Sequence, residues 1–214
     1  MRLSGNSGVD GLAPKIALQC IKSFALALAL PATVHAANKP VTQPELQSAL
    51  KLYQNIQKLD VDFKQTKTLK DIQLDLKSEG HMTMTLPDHV QWKILKPEPM
   101  TVDLQQQKIT IHSATNTQTF SQDQNPSAKD RKSLATMLSW LKLDAGAIMS
   151  QYDVVQLAPH KFRFTAKDKD EPMLKSLEME LTPAGHVAVL LFHEASGDEI
   201  RLQFAKPKVV LKGQ

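Results

Sequence analysis

Cysteine is all but missing from this chain of 214 residues, since Cys20 is the only one. It falls in a segment read below as removed on export, which leaves no disulfide, no thiol nucleophile and no thiolate metal site. Stability must then come from packing alone. An excess of one charge is missing too. Discounting that segment removes three of 26 basic and one of 22 acidic residues, leaving 23 against 21. Such a balance does not mark a polyanion-binding protein. No run of Lys and Arg interleaves with aromatics, which make up 5% of the chain, so a base-stacking surface is not indicated and no nucleic-acid partner is expected. Long apolar runs are also lacking. Phe24 to Leu30 gives seven uninterrupted apolar residues before Pro31, where a membrane-spanning helix needs roughly 17 to 25.

Chemistry-bearing motifs are equally scarce. His81, His89, His112, His160, His186 and His193 include no pair at the i, i+4 helical spacing of a zinc protease. His81 and His112 fall on polar strand faces and His186 in a turn, so solvated side chains are expected at all three. No G-x-S-x-G elbow, phosphate-cradling glycine loop or EF-hand loop is present, and spacing nominates no carboxylate pair for acid-base work. No metal, no cofactor and no catalytic residue is expected.

What is present begins with an export signal. Lys15 and Lys22 supply positive charge, Phe24 to Leu30 the apolar stretch, and Val34-His35-Ala36 a cleavage site. Residues 1–36 are therefore expected to be removed after Ala36, leaving 37–214 as one domain. The stretch "ALQC" does not read as a lipid-attachment site, because the apolar region follows the cysteine and Gln19 precedes it.

Thr42-Gln43-Pro44-Glu45 reads as a capping box. Leu46, Ala49, Leu50, Tyr53 and Ile56 follow at helical spacing, predicting a helix to about Leu59. From Val61 the period becomes two. Val61 and Phe63, then Ile72, Leu74 and Leu76, then "GHMTMTLPDHVQWKILKPEP", then Met100, Val102 and Leu104, then Ile109 and Ile111 alternate with polar neighbours. Met82, Met84 and Leu86 share one strand face, and Val90, Trp92 and Ile94 another. Leu134, Met137, Leu138 and Leu141 return to helical spacing, with a shorter helix expected around Ala145 to Ser150. Strands then resume at Tyr152 to Leu157, Lys161 to Ala166, Leu174 to Leu181, Val187 to His193 and Glu199 to Phe204. Roughly eleven strands with short connections imply an antiparallel sheet, which curls or splits when this long. A curled half-barrel under a helical cover and a two-sheet sandwich both satisfy the pattern.

These stretches resemble the LolA-type family of periplasmic outer-membrane lipoprotein carriers. The likeness starts at Phe63-Lys64-Gln65, continues through "SEGHMTMTLPDHVQWKILKP" with Ser78, Gly80, Pro87, Trp92 and Pro97 as fixed points, and returns in "LEMELTPAGHVAVLLFHEASGDEIRLQF" with a turn at Gly197-Asp198. The resemblance implies a mainly β fold with α: an open antiparallel half-barrel of about eleven strands covered by two or three helices. It implies a cavity for acyl chains, lined here by Phe63, Met82, Met84, Leu86, Val90, Trp92, Ile94, Met100, Phe162, Phe164 and Met179. Leu134, Met137, Leu138 and Leu141 would form the lid helix. Leu86 stands where the carriers place an arginine before the proline, which points to a divergent branch.

The expected function is that of a non-enzymatic, monomeric periplasmic carrier for an acylated lipoprotein or other lipid-bearing cargo. Its partners would be an inner-membrane release complex and an outer-membrane acceptor. A lipid-sensing module that regulates an envelope-stress partner is the alternative, and an envelope enzyme a distant third.

Overall fold

The computed structural model describes residues 38–105, 108–121, 140, 143–168 and 174–213, with the side chains of 120 and 121 left aside. All belong to the compact unit Ala36–Gln214. Twelve strands form one antiparallel sheet: β1 (Lys39–Pro40), β2 (Ile56–Leu69), β3 (Leu74–Thr85), β4 (His89–Lys96), β5 (Met100–Gln105), β6 (Lys108–Ser113), β7 (Thr117–Ser121), β8 (Tyr152–Ala158), β9 (Lys161–Ala166), β10 (Leu174–Leu181), β11 (Val187–Glu194) and β12 (Glu199–Leu211). Their spatial order is β1-β8-β9-β10-β11-β12-β2-β3-β4-β5-β6-β7. β1 and β7 are the two edges, so the sheet is open. This settles the choice between half-barrel and sandwich in favour of one continuous sheet, because β12 runs alongside β2 from Glu199↔Thr68 to Leu211↔Ile56 and joins the two halves of the chain.

Among the described residues three α-helices accompany the sheet: α1 (Gln43–Ala49), α2 (Lys51–Gln54) and α3 (Ala145–Gln151). The first is shorter than its periodicity predicts. Ile56 and Leu59 fit a helical stripe, yet both belong to β2, where Ile56 pairs with Leu211 and Leu59 with Val209. A strand some 150 positions away claims them, and tertiary pairing overrides the local pattern. β12 also outruns its prediction. Pro207 interrupts the apparent strand, but a register shift between Ala205 and Lys208 absorbs it, with Lys206 in the left-handed region at φ 53°. A bulge is one of the few places where a strand accommodates proline. β7, with Phe120 its only apolar residue, exists through its ladder to β6 and carries no alternation to reveal it. Ile72 sits in a 3-10 turn and is 66% exposed rather than on an inward strand face.

The core is built on one face. Leu46 and Leu50 of the first helical turns, Ile148 of α3, and Ile56, Phe164, Leu177 and Met179 of the sheet are fully buried. No helix among the described residues is long and apolar enough to cross a membrane.

The start of α1 matches the sequence. The Glu45 carboxylate accepts from Lys39 Nζ at 2.7 Å and from the Thr42 backbone N–H and Oγ at 2.8 Å each. The lysine first, then the two Thr42 donors, bring the Glu45 carboxyl from its ordinary 4.5 down to about 2. A depressed carboxylate stabilises the fold above its unfolded pKa and loses that contribution as pH falls through the folded one. A Glu45→Gln variant is therefore expected to melt below the parent at pH 6. The gap should shrink steadily below pH 4.5, as read by circular dichroism melts in low salt.

Candidate functional site

The residues expected to line a cavity come from strands whose period-two pattern sends every second side chain to the same side. Registry then aligns them across strands. Met82 lies between Val61 and Trp92, Met84 between Leu59 and Val90, and Gly80 between Phe63 and Ile94. The two alternations flanking Leu86-Pro87-Asp88 thus fall on one common face rather than two, because the turn makes β3 and β4 antiparallel neighbours. Met100 extends the row opposite Ile94. On the other half, Phe162 opposes Met179 and Phe164 opposes Leu177.

Between these halves lies a bridge that sequence reasoning left out. Leu190 and Phe192 of β11, and Ile200, Leu202 and Phe204 of β12, carry the apolar face from Met179 to Phe63. Their alternation in "VAVLLFHE" and "EIRLQF" was the available signal. The result is one apolar inner face across β8 to β6.

Burial divides the expected lining into two groups. Phe63, Met82, Met84, Val90, Phe162, Phe164 and Met179 are each no more than 8% exposed, so they form a packed floor. Leu86, Trp92 and Ile94 are half-buried against that floor, and Met100 is half-buried at its margin. These side chains, with Leu190, Phe192, Ile200 and Phe204, offer apolar surface to a visitor. An aromatic chain crosses the floor: Phe63 and Trp92 lie 4.1 Å apart between ring centres, and Trp92 meets Phe204 edge-on at 6.3 Å. Trp140 packs edge-on against Tyr152 at 5.2 Å and Phe164 at 4.9 Å. The lid residues Leu134, Met137, Leu138 and Leu141 lie outside the described residues.

A separate open groove of about 700 Å³ runs between α1, α2 and the turns after β8 and β10. Of the expected lining only Phe162 reaches it. Val41, Ala49, Leu52 and Leu181 share its apolar side.

The opposite face is polar and paired. Arg163 donates to Glu178 at 2.7 Å, and Lys161 lies 3.2 Å from Glu178 and 2.8 Å from Glu180. Burial pushes the Glu178 carboxyl up, but these cations outweigh it and hold it below the usual range. His81 pairs with Asp62 at 3.0 Å and His112 with Thr117 at 3.1 Å, consistent with polar strand faces. His186 departs from expectation: its Nδ1 is buried without a hydrogen-bond partner among the described residues. Among the described residues no group of three or more His, Cys, Asp or Glu could hold a metal ion.

The family model described as outer membrane lipoprotein carrier protein LolA matches residues 54–212, from the end of α2 through all of β2 to β12. The chain belongs to the LolA family. No curated protein matches it. Among solved structures, it resembles a LolA superfamily protein from Nitrosomonas europaea at 9% identity and TM-score 0.42, covering 79% of this chain and 94% of that one. The Pseudomonas aeruginosa MucA/MucB complex structure gives 12% identity and TM-score 0.44, with 78% and 56% covered. The Mycobacterium tuberculosis lipoprotein LppX gives 9% and 0.41, with 77% and 96% covered. Within the LolA pattern, Gly80 and Trp92 now have physical roles: Gly80 lets Phe63 settle against β3, and Trp92 joins Phe63 to Phe204. Leu86 is anchored through its backbone N–H, which donates to Gln57 O at 3.0 Å, so its side chain offers apolar contact only.

Proposed function

We propose that this LolA-type protein is a carrier that shelters acyl chains of lipoproteins, or of another acylated cargo, against its inner face during transfer between envelope membranes. It would act in the periplasm as residues 37–214 after loss of 1–36, and by binding rather than catalysis. The single observation behind this reading is the apolar face itself. It continues over ten strands and leaves Trp92, Ile94, Leu190 and Phe192 only partly buried along its surface. Burying a chain there is worth about 0.8 kcal/mol per CH₂, enough to hold a lipid and still release it. An inner-membrane release complex would supply the cargo and an outer-membrane acceptor would take it. Leu134, Met137, Leu138 and Leu141 would cover the face.

The test is titration of residues 37–214 with a fluorescent acyl probe. Saturation near one probe per chain is expected, with a change in Trp92 emission read in a Trp140→Phe background, since the chain has two tryptophans. Addition of acceptor vesicles should then draw the probe off. Retention of the probe in the presence of acceptor would favour a lipid-sensing module instead, and absence of any acyl binding would overturn the reading.

A further inference from the structure

The inner face is apolar along most of the strands, but it changes character toward the end of β2 and the start of β3. Two residues beyond Phe63 and Gly80, Gln65 faces Ser78. Ser78 Oγ is buried and has no hydrogen-bond partner among the described residues. Two residues further, Lys67 on the same face forms an ion pair with Glu194 of β11 at 2.8 Å, reaching across Ile200 of β12. Neither is fully withdrawn from solvent, at 30% and 26% exposed. Leu76, opposite Lys67, and Leu74 beyond it are 48% and 45% exposed, so no described residue closes this end. The apolar floor therefore opens outward through a polar band.

We propose that this band, Gln65, Ser78 and the Lys67–Glu194 pair, seats the polar head of the acylated ligand, and that it selects an uncharged ester or amide head over an anionic one. The proposal rests on the inner face holding acyl chains. Its charge logic is local. A free lysine at the mouth would favour a phosphate or carboxylate, but here Glu194 already neutralises Lys67. An anionic head must either displace that carboxylate or lie beside it, and like charges a few ångströms apart repel strongly where water is partly excluded. A head with hydroxyl donors and carbonyl acceptors can instead bond to both members of the pair while leaving it intact. The same head would give Ser78 Oγ the partner it lacks once a rotation of the serine side chain turns the withdrawn hydroxyl toward the band, and a buried hydroxyl left unpaired is costly.

Calorimetric titration with 1-myristoylglycerol and with 1-myristoyl-lysophosphatidylglycerol, kept below their aggregation limits, separates head from chain. The parent should bind the neutral lipid about tenfold tighter. Glu194→Gln frees Lys67 and should erase or reverse that ratio, whereas Lys67→Gln should widen it. Ser78→Ala should weaken the neutral lipid alone, by about threefold. Thermal melts confirm that each variant is folded, and the parent's own preference tests the idea should a variant not fold. Equal or stronger binding of the anionic lipid by the parent, or an unchanged ratio in folded Glu194→Gln, would place the head elsewhere and overturn the proposal while acyl binding stands. Failure of both lipids to bind the parent would overturn the acyl-binding reading, and this proposal with it.

Discussion

Replacing Gly80 with alanine is expected to cost about 3 kcal/mol, at the upper end of what overpacking does to a well-filled core. The cause is space, not backbone freedom, because Gly80 is not among the residues with positive φ. A Cβ at this position would overlap the Lys93 carbonyl oxygen and come within 2.8 Å of Phe63 Cζ. Both neighbours are constrained. Lys93 belongs to the β3–β4 ladder beside the register shift at Glu79 and Gly80, so its carbonyl retreats only if hydrogen bonds on either side are disturbed. The Phe63 ring is 2% exposed and held against Trp92. A methyl group cannot be relieved by one side-chain rotation. Urea denaturation should show a lower midpoint with unchanged slope, and a midpoint equal to the parent's would mean that β3 and β4 do not approach this closely.

The second large effect is expected from a carboxylate placed on the floor of the inner face. Met84 is 3% exposed, with Leu59 and Val90 opposite it on the adjoining strands. An aspartate there faces apolar neighbours on both adjoining strands and must be protonated or drive the site open, so Met84→Asp should cost on the order of 4 kcal/mol. Its melting temperature relative to the parent's should rise as pH falls, since protonation removes the ionisation part of the penalty. Ile94→Asp should behave differently. Its half-buried side chain lets the new carboxylate turn toward water, so the protein should fold while acyl-probe affinity drops about tenfold through loss of apolar contact. Although both residues alternate identically in the sequence, only the first is sealed within the floor. If folded Ile94→Asp binds the probe as the parent does, the ligand does not lie over β4.

That contrast shows where the sequence stops being readable. Alternation placed Met82, Met84, Val90, Trp92 and Ile94 on inward faces because a pleated strand has a period of two and little else to decide. It could not say which would be sealed and which left open. Exposure depends on what lies over each residue, and that cover comes from distant segments. The capping box at Thr42 and Glu45 was legible because its partners stand three residues apart. The end of the same helix was not, because Ile56 and Leu59 answer to Val209 and Leu211. His186 could be assigned to a turn from "TPAGH", yet the burial of its Nδ1 depends on packing that the turn itself does not describe.

Neighbouring residues alone thus fixed the strand faces, the turns, the helix start and the motifs of the LolA family. Tertiary structure alone decided that β12 closes onto β2, that two alternating stretches become one apolar face, and that Lys67 meets Glu194 across 127 positions. The physical reason is range. Backbone sterics and side-chain periodicity act within a few residues, whereas strand pairing, burial and charge neutralisation are settled by whichever distant groups the closed chain brings within a few ångströms.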